Sequence, residues 1–397
     1  MAAITRSLRA PPAAFVVAGA LVALSLLLRA PVFGYHGPPR PHAMNLFLID
    51  HAGSYSDIAH LYFRDRLWEG TAPYFDYQFE YPVLTGALVW LASLAGGSLG
   101  SYMLLSTALM LCLGLLTVWA LGKVDGANPW LFAFAPAVAF YAVLNWDLLG
   151  VFLLVAALLL FQRERDLPAA VVVALGTSAK LFPIVVLPVV VALRAADRGW
   201  RSAARIVAVF GVVTVAVNAP FAIDSHGIRD SWLYFFRFTV ERPPRATIWK
   251  PVLGHGADIL ATPLIVAGLA TILVIALRNR RRPGGVLIAA STASLLWVFA
   301  MAKVYSPQYA LWIFALLAID GAPLTLAVAF AAVDILLFTT TFGPLYPGLP
   351  LHAVQWLADG LRQVVTAGLA VWVVRRQLLA ETPAGAPPGR ARAAVID

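Results

Sequence analysis

Unbroken apolar runs of about 15 to 26 residues recur along almost the whole chain, each long enough to cross a hydrocarbon core of about 30 Å as a helix. Transmembrane barrels instead read as alternating strands of about ten residues, a pattern this sequence lacks. Of the 397 residues, 61% are hydrophobic and 12% charged, where a soluble domain would carry roughly 25% charged residues. The fold class this implies is an all-α polytopic integral membrane protein with about 11 to 13 transmembrane helices.

The first apolar run, 13 to 28, follows Arg6 and Arg9 and lacks a small-x-small cleavage signal, so it reads as an uncleaved anchor with its N-terminus in the cytoplasm. Further spans are expected at 82 to 97, 101 to 121, 129 to 144, 148 to 161, 168 to 193, 202 to 221, 252 to 277, 284 to 301, 308 to 320, 323 to 341 and 355 to 374. Arginines fill three short loops: Arg194, Arg198, Arg201 and Arg205; Arg278, Arg280, Arg281 and Arg282; and Arg375 with Arg376. Excess arginine marks cytoplasmic loops. The same clustering accounts for the net charge of +9, which in a soluble chain would have suggested nucleic acid. Loops 31 to 81, 222 to 251 and 342 to 354 then lie outside. Residues 1 to 378 read as one transmembrane domain, and 379 to 397, rich in Pro, Gly, Ala and Arg, as a disordered cytoplasmic tail. Between 97 and 194 two topologies compete. If Lys180 splits 168 to 193 into two helices, Asp147 and Lys180 share a side with the first outer loop; one long span puts Asp147 on the cytoplasmic side.

The first outer loop carries the densest chemistry. Residues 55 to 86, YSDIAHLYFRDRLWEGTAPYFDYQFEYPVLTG, hold five carboxylates, two arginines and nine aromatic residues. Ser56 is placed to cap a short helix and Gly70 to end it. On that helix Asp57, His60 and Arg64 would share a face, with Leu61 and Trp68 toward the membrane surface. An ionised aspartate beside a cation suits a general base acting on an alcohol, although Asp50, Asp65, Asp76 and Glu80 are alternatives of the same type. Glu80 precedes the span that Pro82 would start; it could bind a sugar hydroxyl or a cation, or only favour the helix dipole.

Four other places combine charge with apolar surroundings. Asp147, in NWDLLG, stands between two apolar runs, where ionisable side chains are costly. Lys180, in GTSAKLFPIVVLP, has no acidic neighbour within ten residues; a lipid phosphate would suit it, as would snorkelling. Residues 231 to 250 interleave Arg237, Arg242, Arg245 and Lys250 with aromatic rings, as a sugar on a phospholipid-like carrier would require. MAKVYSPQYALW brings Lys303, Tyr305 and Gln308 to an outer boundary, as cavity lining or as an interfacial belt. Cys112 is the single cysteine, so neither a disulfide framework nor a Cys-based metal site is available. There is no P-loop or HExxH motif and no soluble domain large enough to bind a nucleotide sugar, so a sugar donor would have to arrive within the membrane.

Taken in order, YSDI, GTAPY…FEYPVLTG, NWDLLG, AKLFP, RFTVER…IW and KVYSPQYALW resemble the actinobacterial members of glycosyltransferase family 87, from about residue 13 to 375. These are membrane enzymes of the C-type superfamily and include polyprenyl-phosphate-mannose-dependent mannosyltransferases. The resemblance implies an aspartate acid-base residue in the first outer loop, which falls on Asp57, and an active site enclosed by outer loops on the extracytoplasmic face of the cell membrane. It implies inverting transfer of a hexose, mannose in particular, from a polyprenyl-phosphate-sugar donor to a glycolipid, glycan or protein acceptor, with no nucleic-acid partner. Arg64, Glu80, Asp147, Lys180, Arg237, Arg242, Lys303, Tyr305 and Gln308 become candidates for holding donor phosphate or substrate. Some superfamily relatives pair carboxylates on a divalent metal, and the first loop has no Asp-x-Asp to do so; no cofactor is assigned. A lipid-linked-sugar transporter, or an arabinofuranosyl or glucosyl donor, is the alternative.

Overall fold

The computed structural model describes residues 10–224, 231–249, 256–282, 285–343 and 351–379. Among them the protein is helical throughout, with only two isolated β-bridges. Lys250 and the proposed tail from residue 380 onward lie outside the described residues, as does most of the loop 342 to 354.

The helices are α1 (Pro12–Leu28), α2 (Pro41–Asp50), α3 (Asp57–Arg64), α4 (Val83–Ser93), α5 (Leu99–Leu121), α6 (Pro129–Ala133), α7 (Pro136–Tyr141), α8 (Asp147–Gln162) and α9 (Asp166–Ala179). They continue with α10 (Val186–Arg198), α11 (Trp200–Asp224), α12 (Tyr234–Glu241), α13 (Ala257–Arg278), α14 (Val286–Met301), α15 (Ala310–Asp320), α16 (Leu324–Phe342) and α17 (Leu351–Val373), the last running on in a wider turn to Leu379. Five helices are long and apolar enough to cross a membrane alone: α5, α11, α13, α16 and the Ala353–Leu379 stretch. Six shorter apolar helices pack beside them, and the all-α polytopic membrane architecture stands.

Proline sets where the apolar runs break. The expected span 129 to 144 is two short helices, because Pro136 opens α7 and forces extended backbone on Ala135 before it. The run 168 to 193 is likewise two helices. Lys180 ends α9 in an extended conformation, and a short tight turn through Pro183 leads into α10. Of the two competing topologies the split one is observed. Helix α8 runs away from the α3 end, α9 returns to it, and α10 leaves again. Ion pairs hold the opposite end: Asp166 receives Arg194 Nε and Arg198 Nη1, both at 3.0 Å.

The core is centred on α15. Every residue from Ala310 to Ile319 is buried, as expected of a helix that is apolar all round. Its Trp312 lies across α8 at Gly150, where an added Cβ would stand 2.6 Å from the tryptophan ring and 3.3 Å from Lys180 Cβ. Gly150→Ala is therefore expected to lower the melting temperature measured in detergent. Overpacking costs about 1–3 kcal/mol, which outweighs the roughly 1 kcal/mol that alanine gains in helix propensity.

Candidate active site

Helix α3 is docked by its apolar residues. Ile58, Ala59, Leu61, Tyr62 and Phe63 are buried, leaving Asp57, His60 and Arg64 along one partly open face. The shared face matches the spacing of the sequence, but the apolar side does not turn to the membrane. Leu61 is 2% exposed, and Trp68 packs against Tyr62 and Phe63. Five buried residues in eight fix the helix to the protein interior. Nor does the Ser56 side chain cap the helix: its hydroxyl donates instead to Val143 O at 3.0 Å. The helix ends at Arg64, and Gly70, with φ of 78°, closes the tight turn that follows. Pro82 is the residue before α4, not its first.

Asp57 is held from two directions. Its N–H donates to Leu144 O at 2.9 Å. Oδ1 accepts the Tyr55 hydroxyl and Oδ2 accepts Asn145 Nδ2, each at 2.8 Å. A carboxylate has about four acceptor sites, so two donors orient it and leave capacity for an incoming hydroxyl. The negative charge of Asp57, and then burial, push the Tyr55 phenol far above the usual tyrosine range, so it remains a donor. Burial also lowers the His60 pKa, which favours the neutral imidazole; its Nδ1 is buried without a hydrogen-bond partner.

Asn145 links this carboxylate to a second group. The same Nδ2 donates to the Tyr81 hydroxyl at 2.8 Å, while Asn145 Oδ1 accepts the Trp146 N–H. Over the Tyr81 ring, 4.7 Å from its centre, stands Lys180 Nζ. Lys180 also lies 3.4 Å from Asp147 Oδ2, and Asp147 Oδ1 accepts Trp312 Nε1 at 2.8 Å. The lysine that had no acidic neighbour in sequence thus has one across the α8–α9 pair. Tyr81 and Tyr74 further line an apolar cavity of about 500 Å³ between α4, α9, α11 and α12, whose walls include Leu181, Asn218, Trp232 and Phe236.

A model of glycosyltransferase family 87 matches residues 79–301, more than half of the chain. The chain belongs to glycosyltransferase family 87. Membership makes it a membrane glycosyltransferase, with a sugar donor and an acceptor as its substrates. The matched stretch contains Tyr81, Asn145, Asp147 and Lys180; Asp57 precedes it. No curated protein matches the chain.

The other candidates of this family 87 enzyme fall into separate groups. Arg64 grips Asp65 through Nε and Nη2, at 2.7 and 3.0 Å, and reaches Glu80 Oε2 through Nη1 at 2.7 Å. Glu80 therefore pairs across the loop as well as preceding α4. Arg237 lies on the exposed side of α12 near Glu241, and Arg242 stacks on Phe238. Neither makes a hydrogen bond or ion pair with the Asp57 group among the described residues. Lys303 ties α12 to α13 through Val240 O and Asp258. Tyr305 is fully buried, its hydroxyl paired with Thr366 and its ring beneath Arg362. Gln308 is 7% exposed at the start of the turn into α15.

Several site residues were not singled out from sequence: Tyr55, Tyr81, Asn145 and Trp312. The first three sit inside the motifs YSDI, FEYP and NWD, beside the charges that drew attention. Arg245 is brought in by a backbone bridge to Val304, donating its N–H to Lys303 O and accepting from Tyr305 N. Its charge is felt at Tyr55.

Proposed function

We propose that this enzyme transfers a hexose, mannose in our reading, from a polyprenyl phosphate to a hydroxyl of a glycolipid, glycan or protein acceptor on the extracytoplasmic face, with inversion. Asp57 takes the acceptor proton while the acceptor oxygen bonds to the anomeric carbon and the bond to phosphate breaks, leaving a polyprenyl monophosphate. A phosphate is already a good leaving group, so one base with cationic stabilisation suffices. The observation that carries this reading is the continuity from Asp57 through Asn145 to Tyr81, where one tyrosine meets a lysine on its face and an apolar cavity at its edge. A base, a cation for phosphate and a cleft suited to isoprene units adjoin. The arginine-rich loops at the opposite end support the extracytoplasmic placement.

Purified enzyme given radiolabelled polyprenyl-phosphate-mannose and a total lipid extract is expected to yield a labelled glycolipid, and the Asp57→Asn protein none. Recovery of the donor unchanged from the parent protein with every acceptor tried, or equal product from both proteins, would sink the proposal.

A bulkier cavity wall tests the lipid part separately. Ala219→Trp fills the cleft beside Asn218. Loss of contact for about one isoprene-sized group, worth roughly 1.5–3 kcal/mol, should raise KM for a long-chain donor about tenfold to a hundredfold. The KM for a donor cut to its first isoprene units should hardly move, and an equal rise for both would argue against a tail in this cleft.

A further inference from the structure

Arg29 follows the last residue of α1 and is fully buried. A buried guanidinium keeps its charge at neutral pH, and interior charges ordinarily sit in ion pairs. Arg29 has none among the described residues. It spends its donors on backbone and hydroxyl groups: Nη1 on Ser25 O at 3.0 Å and Ser25 Oγ at 3.2 Å, Nη2 on Phe140 O at 2.5 Å, and Nε on nothing. Its electrostatic neighbours are Tyr141 and Asp57, of which only the carboxylate carries charge at neutral pH.

These contacts converge on the turn after α7. Ser25 Oγ accepts the Val143 N–H at 3.1 Å. From the other side of the turn, Ser56 Oγ and Asp57 N–H reach Val143 O and Leu144 O, and Asn145 reaches the Asp57 carboxylate. The end of α1 therefore holds one side of the turn while the Asp57 segment hangs from the other.

We infer that Arg29 is a positioning residue for Asp57: with Ser25 it fixes the turn from which the Asp57 segment hangs, and so orients the carboxylate. The inference rests on the reading of Asp57 as the base. The other groups facing Asp57 are Tyr55, His60 and Tyr81, with Glu80 and Arg245 reaching it by way of Tyr55. None of these is a cation fixed within the core.

The test is the pH profile of transfer from polyprenyl-phosphate-mannose, measured in the parent and in a His60→Gln background so that imidazole titration is not mistaken for the carboxylate. Arg29→Gln keeps an amide donor for Phe140 O and removes the charge. Arg29 and Asp57 act on each other electrostatically, and loss of a positive charge disfavours a carboxylate, so the acid limb of kcat/KM should move to higher pH. The displaced turn should lower kcat on the order of tenfold to a hundredfold, with donor KM unchanged. Arg29→Lys and Ser25→Ala should leave the acid limb in place while lowering kcat.

A folded Arg29→Gln protein whose acid limb stays with the parent overturns the inference, whatever its kcat, because lost packing alone gives a lower kcat. If Arg29→Gln fails to fold, parental kcat in both Arg29→Lys and Ser25→Ala overturns it, and a lowered kcat at parental donor KM and parental melting temperature, which lost packing would not leave unchanged, supports it. Asp57→Asn separates the two levels of argument. Full activity there would remove the base itself, whereas an inactive Asp57→Asn beside an unmoved Arg29→Gln profile would remove only the role of Arg29.

Discussion

Asp57→Asn is expected to lower kcat by about 10²- to 10⁴-fold, the usual contribution of a positioned general base, without unfolding the protein. The exchange is nearly isosteric. The new amide oxygen can accept from Asn145, and its NH2 can donate to Tyr55, whose hydroxyl turns to accept. Both contacts, 2.8 Å in the parent, survive in altered polarity. What is lost is a charge and the ability to take a proton. Initial rates with saturating donor, beside a melting curve in the same detergent, make the measurement. Activity near the parent level would return the role to Glu80 or another carboxylate of the loop. Tyr55→Phe should cost less, since Asn145 still orients one oxygen.

The second large effect concerns stability. Lys180 is 11% exposed at its side chain and Asp147 not at all. Breaking a buried pair by removing one partner leaves an uncompensated charge and typically costs about 3–5 kcal/mol. Lys180→Met should therefore melt well below the parent. Adding Asp147→Asn should recover most of that loss, because the amide can still accept Trp312 Nε1, a 2.8 Å contact in the parent. The stabilised double variant then isolates chemistry from folding. Poor transfer with a raised donor KM is the outcome expected if the lysine meets phosphate, and a single variant as stable as the parent would show that the pair is not a buried one.

The helical class and most of its boundaries could be read from hydropathy, because helix-length apolar runs admit few structures in a bilayer. Where proline interrupts a run, length alone misleads: 129 to 144 looked like one span and is two helices either side of Ala135. The periodic face of Asp57, His60 and Arg64 was legible for the same reason, a regular helix repeat. Its partners were not. Asn145 meets Asp57 across 88 residues of chain, and Trp312 meets Asp147 across 165; no local pattern encodes contacts made by tertiary packing. Uncharged side chains stand out less than the charged ones beside them, although Tyr81 joins the Asp57–Asn145 pair, Lys180 and the cavity.

That cavity is open on its flank, where Ile184, Val215 and Ile223 are 41%, 66% and 76% exposed. A donor tail entering there would come sideways, from the plane of the bilayer, and its product would leave the same way. The quantity governing saturation is then the donor's mole fraction among surrounding lipids, and the search that precedes each turnover is two-dimensional. Water would need to carry only the acceptor, if that.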